Sequence, residues 1–153
     1  MKWYTADLNK YISAKEYIDT LIIPLLPYQL SEDASVEKQA QQGEMLTIFV
    51  NELERELTGR TMLLPNYYYL SNHSKEAEIE RLNAFIQDAK TQPFEHTFLI
   101  TSDASWKKHE KDIEGDILWW PGVKSVDRQS KEMRLLIHDQ VEQFSELIRS
   151  YWS

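Results

Sequence analysis

Thr20-Leu21-Ile22-Ile23-Pro24-Leu25-Leu26 and His96-Thr97-Phe98-Leu99-Ile100-Thr101-Ser102 decide the fold. Each is apolar at nearly every position rather than at every second one, so neither has a face to offer water. Strands buried on both sides read this way, and such strands belong to parallel sheets covered by helices. Two more short runs, Met62–Pro65 (reaching toward Tyr69) and Asp116–Trp120, are bounded by turn and breaker residues in the same manner.

Amphipathic segments separate these runs. From Ser35 to Leu57, the positions Val36, Ala40, Met45, Phe49, Leu53 and Leu57 recur at helical spacing, and Gly59 follows as a C-terminal cap. Ser74 precedes a second helix carrying Leu82, Phe85, Ile86 and Ala89 on one face and ending before Pro93. Asp103 or Ser105 caps a shorter third helix that Gly115 closes, and Ser125 or Asp127 opens the last. The stripe of that last helix is Met133, Ile137, Val141, Phe144, Ile148 and Tyr151. In the first 18 residues, Ser13-Ala14-Lys15-Glu16 fits a capping box and predicts a short helix ahead of the first strand.

The resulting βαβαβαβα string over 19–153, after an N-terminal segment 1–18, predicts a single three-layer α/β domain spanning 1–153. Its four-stranded, mostly parallel sheet is expected in the flavodoxin-like or Rossmann-like order 2-1-3-4. The 153 residues suit one domain and suffice for a core without staples.

Composition removes several functions. The formal charge is −8, with 6 basic and 10 acidic side chains in residues 1–60 and 11 and 15 in the remainder. Neither half is a basic arm, which argues against double-stranded nucleic acid as a partner and holds back single-strand binding by stacked aromatics. No cysteine is present, so disulfides, thiolate metal sites and cysteine nucleophiles are excluded. No apolar run approaches a membrane span and Met1–Lys10 has no signal-peptide core, so a cytoplasmic protein is expected.

Glycines 43, 59, 115 and 122 are too far apart for a dinucleotide or P-loop fingerprint, and Pro24-Leu25-Leu26-Pro27-Tyr28 is no Ser/Thr-rich flavin-phosphate loop; no cofactor is expected. His73, His96, His109 and His138 form no helical pair and no HExxH occurs, so no metal site is expected; His96 starts a strand at the end away from the expected crevice, which argues against catalysis there. No Gly-x-Ser-x-Gly elbow occurs.

Ligands in open α/β sheets lie beyond the carboxyl ends of the strands, where strand order reverses. Those ends lead into Tyr28, into Asn66-Tyr67-Tyr68-Tyr69, into Ser102-Asp103 and into Trp119-Trp120-Pro121-Gly122-Val123-Lys124. The candidate binding residues are therefore Tyr28, Asn66, Tyr67, Ser102, Asp103, Trp120, Lys124 and Arg128. Trp120 would supply an apolar platform, while Lys124 and Arg128, with Lys131 on one helical stripe, would meet an anionic group. The competing account has the rings plugging the sheet's end, Asp103 capping a helix and the charges solvated.

Two strings carry a resemblance. Tyr17-Ile18-Asp19-Thr20-Leu21-Ile22-Ile23-Pro24-Leu25 and Trp119-Trp120-Pro121-Gly122-Val123-Lys124-Ser125-Val126-Asp127 resemble the YpiF-like proteins of Bacillus-type bacteria, a domain of unknown function. The resemblance implies a small bacterial intracellular protein and brings no catalytic residues. On the residues alone, the expected role is a module recognising an unknown protein partner or a small anionic ligand through an aromatic rim. A small enzyme acting on a nucleotide-like or sugar-like compound stays open, its carboxylates drawn from Asp19, Asp103 and Asp116. Whether the chain is catalytic is left undecided at this level.

Overall fold

A computed structural model describes residues 1–123 and 131–153. The elements are α1 (Thr5–Ser13), β1 (Thr20–Tyr28), α2 (Asp33–Glu56), β2 (Thr61–Leu63), β3 (Tyr67–Leu70), α3 (Glu76–Lys90), β4 (His96–Thr101), β5 (Asp116–Trp119) and α4 (Lys131–Trp152). All described strand pairings are parallel, in the order β2-β1-β4-β5, with β3 also paired to β1. The expected parallel sheet and its order are present.

The second apolar run differs in one respect: it forms two strands on the same edge of β1. Thr20–Ile22 pair with β2 and Leu25–Tyr28 pair with β3, with Leu64, Pro65 and Asn66 between. Pro24 explains how a proline sits in a central strand, where its missing N–H normally forbids it. Even-numbered residues of β1 direct their backbone groups toward β2 and β3, as Leu64 N–H donating to Ile22 O and Ser71 N–H donating to Tyr28 O demonstrate. Pro24 therefore faces the gap between the two strands, where no ladder bond is needed. Pro27 points the other way, past the last β4 partner, which is Leu25↔Thr101.

Strand alternation builds two cores. Ile22, Leu26, Leu63, Phe98, Ile100 and Leu118 pack with Phe49 and Leu53 of α2 and with Ile137, Val141 and Ile148 of α4. On the opposite face, Leu21, Ile23, Leu25, Met62 and Leu99 meet Leu82 and Ile86 of α3, with Leu8 and Tyr11 of α1 against them. Gly43 lets α2 approach the sheet, since a Cβ there would stand 3.1 Å from Leu26 Cδ2.

Four local expectations are corrected. Ser13 ends α1 instead of capping a helix, and its hydroxyl donates to Lys10 O. The third helix is a 3₁₀ turn, Ala104–His109, that stops well before Gly115. The residue flanking α3 is Lys75, not Ser74. Gly59 has φ +98° just beyond α2, the left-handed conformation that makes glycine a helix stop. The expected opening of the last helix at Ser125 or Asp127 lies outside the described residues. Tyr151, expected in the buried stripe, is 41% exposed although its ring edge meets Phe98 at 5.0 Å.

Candidate functional site at the C-terminal rim

Chain order reverses between β1 and β4, so the rim begins where β1 runs into Tyr28-Gln29 and β4 into Ser102-Asp103. On the α3 side this crevice is filled. Tyr69 Oη donates to Asp103 Oδ2 at 2.6 Å, reaching from β3 across the end of β1. Asp103 Oδ1 also accepts from Ser105 N at 3.0 Å and Ser105 Oγ at 2.6 Å, which caps the 3₁₀ turn as expected for this residue. Lys75 Nζ stands 3.7 Å from Asp103 Oδ2 and lies over the rings of Tyr69 and Trp106. Trp106 is fully buried, edge-on to Tyr69.

Electrostatics lock this cluster. Burial alone would raise the Asp103 carboxyl, but the hydrogen bonds from Ser105 and Tyr69 and the Lys75 charge outweigh it and hold the group below the ordinary aspartate range. The Tyr69 hydroxyl is pushed far up, first by burial and then by its bond to Asp103. Tyr67 behaves alike: it is buried and donates to Glu78 Oε1 at 2.6 Å, and burial followed by that bond raises its hydroxyl. These groups are ionised or neutral in fixed roles.

The other sequence-named residues divide between structure and surface. Asn66 Nδ2 donates to Thr47 Oγ1 and ties the gap between β2 and β3 to α2. Trp120 corrects the expectation of a platform: it is fully buried, stacked on Phe49, with Nε1 donating to Gln140 Oε1 at 2.9 Å. Its neighbour Trp119 is 39% exposed, with Nε1 donating to Ser102 O and Lys107 Nζ 4.5 Å above its ring. Ser102 Oγ is buried without a hydrogen-bond partner among the described residues. Lys124 and Arg128 lie outside the described residues.

Tyr28 remains at the surface. It meets Tyr68, which the sequence reading did not single out, edge to face at 6.4 Å. Both rings are exposed. They border a groove of about 560 Å³ whose far wall is α2, through Val36, Gln39, Ala40, Gly43, Glu44, Thr47 and Ile48. Gln39 Nε2 donates to Ser71 Oγ, while its Oε1 is buried with no partner among the described residues. Strand alternation was the signal that Tyr68 leaves the core when Tyr67 and Tyr69 enter it.

At the opposite end of the sheet, Asp19, Glu95 and His96 bring one ligand-type atom each within 4.8 Å of one another. The sequence reading placed His96 at this end but did not foresee its neighbours.

A family described as a protein of unknown function, DUF2487, matches residues 9–152. The chain belongs to DUF2487. A relative in this setting is the "Uncharacterized protein YpiF" of Bacillus subtilis (strain 168), 29% identical over 153 residues that cover 100% of this chain and 99% of the relative. The resemblance seen in the two sequence strings is thereby confirmed over the full DUF2487 chain. No solved structure matches it. Among the described residues of this DUF2487 protein, no helix is long and apolar enough to cross a membrane.

Proposed function

We propose that this chain is a binding domain that takes an apolar-bodied ligand or partner segment in the groove between the Tyr28–Tyr68 pair and α2. The exposed edge-to-face tyrosines carry the reading: two rings meet each other in water at the rim where open α/β sheets place their ligands. Aromatic walls with a few polar anchors are the usual build of such sites. Gln39 Oε1 supplies an acceptor with no partner among the described residues, so a donor on the ligand would relieve a buried polar atom.

Recognition fits better than catalysis on a nucleotide-like or sugar-like substrate. A general acid needs a carboxyl able to exchange its proton near neutral pH. The rim aspartate, Asp103, is instead held low by its donors. The expected contribution of Lys124 and Arg128 to an anionic contact stays a proposal for variants of those two residues.

Gentle purification followed by native mass spectrometry tests this reading. Wild-type protein is expected to retain a molecule or partner that the Tyr28→Ser/Tyr68→Ser variant loses while staying folded. Equal retention by both proteins would reject the groove as the binding surface.

A further inference from the structure

We propose that Asp19, Glu95 and His96 form a binding site for a divalent transition-metal ion, zinc above all, at the end of the sheet opposite the groove. Sheet register assembles it. Thr20 pairs with His96 in the parallel β1–β4 ladder, so Asp19 and Glu95, one residue earlier, stand side by side. The backbone fixes this further, because His96 N–H donates to Asp19 O at 3.1 Å.

Asp19 is built as a ligand already oriented. Its Oδ1 accepts from Arg60 Nε at 2.8 Å and from Thr20 Oγ1 at 3.0 Å, and its Oδ2 accepts from Arg60 Nη2 at 2.9 Å. A carboxylate offers about four lone-pair positions, so one position on Oδ2 stays open. Arg60 is itself stacked on Trp152 at 4.2 Å, and Trp152 Nε1 donates to Thr20 Oγ1. Ligating carboxylates are commonly held by such outer hydrogen bonds.

Neither the His96 ring nor the Glu95 carboxylate has a hydrogen-bond partner among the described residues. The carboxylates of Asp19, Glu95 and Asp116 lie around the His96 ring, and Arg60 is the cation that Asp19 and Glu95 meet among the described residues. The surplus is negative, and a dication fits it. Three atoms within 4.8 Å of one another leave a central point at most ~2.8 Å from each, against ~2.0–2.2 Å for zinc–oxygen and zinc–nitrogen bonds. A small rotation of the exposed Glu95 side chain together with a slight tilt of the His96 ring toward Asp19 would close that difference. One imidazole and two carboxylates favour zinc or nickel over magnesium, which prefers all-oxygen shells. A bound ion would clip the starts of β1 and β4 together.

Calorimetric titration of chelator-dialysed protein with zinc chloride, and separately with magnesium chloride, is the test. One zinc per chain is expected, with magnesium weaker by about tenfold or more. His96→Ala and the surface change Glu95→Gln should each lower zinc affinity by roughly 10–100-fold, while His138→Ala should leave it unchanged. That control matters because His138 Nε2 lies 3.1 Å from Glu142 Oε1 on α4, a rival surface pair. In wild-type protein the His96 ring proton resonances should shift on zinc addition, which keeps the test valid if His96→Ala folds poorly. Absence of zinc binding, or zinc binding that survives Glu95→Gln with an unmoved His96 resonance, would overturn the proposal.

Discussion

Trp120 stacks on Phe49 with ring centroids 4.6 Å apart and planes 12° from parallel. The pair joins the chain just after β5 to the middle of α2, and Phe144 of α4 meets Phe49 edge-on at 5.0 Å. Three elements of one face thus share one aromatic cluster. Removing Trp120 opens a large cavity and strands Gln140, so Trp120→Ala is expected to cost ~3–5 kcal/mol. Urea unfolding of the variant measures this. A loss below ~1 kcal/mol would place the ring outside the core.

Tyr28 and Tyr68 are the opposite case. Both are exposed, so Tyr28→Ser with Tyr68→Ser is expected to shift stability by no more than ~1 kcal/mol. Thermal unfolding checks this, and a cooperative melt near the wild-type temperature is the expected trace. A large drop would mean the pair is structural and would disqualify the variant as a probe of binding.

Asp103 has a pH signature whose sign is fixed. Its carboxyl is lowered in the folded protein from its ordinary 3.8, despite the opposing effect of burial, by Ser105, Tyr69 and Lys75. A lowered carboxylate stabilises the fold above its unfolded pKa and loses that contribution as pH falls through the folded one. Asp103→Asn is therefore expected to be less stable than wild type near pH 7, by ~1–3 kcal/mol as for a bond to a charged group. The gap should narrow as pH falls below the ordinary value of 3.8. Denaturant midpoints across that range decide it, and a gap independent of pH would remove the ionic explanation.

Gly115 is tight for a steric reason. A Cβ there would stand 2.7 Å from Leu99 Cδ1 and 2.9 Å from the Thr97 carbonyl oxygen. Backbone cannot yield as a side chain can, so Gly115→Ala is expected to destabilise by ~1–3 kcal/mol. Equilibrium unfolding reads this, and a neutral result would show that the turn into β5 shifts freely.

The fold was legible because continuous apolar runs such as Leu21–Ile23 and Phe98–Ile100 have only one comfortable home, inside a covered parallel sheet. Within a run, that same continuity conceals alternation. Tyr67, Tyr68 and Tyr69 are identical in sequence, yet they are buried, exposed and buried. Trp119 and Trp120 are likewise identical neighbours, and only the second is sealed in the core. Residue type could place an aromatic rim but could not say which rings face water. The grouping of Asp19 with Glu95 and His96 depends on strand register, which lies in no local motif.

The division of the second run into β2 and β3 has a consequence for self-association. A sheet's open edge is a template on which another chain can add a strand, and long flat edges invite filaments. Here that edge comes in pieces of three and four residues, interrupted at Leu64-Pro65-Asn66. The outer side of β2 is already occupied, since Lys2 bridges Leu63 and Leu63 N–H donates to Met1 O at 2.8 Å. On this edge, among the described residues, the four residues of β3 remain to be copied, too short a stretch to seed a ladder. Pro65, within that interruption, thus helps keep this edge of the sheet from stitching one molecule to the next.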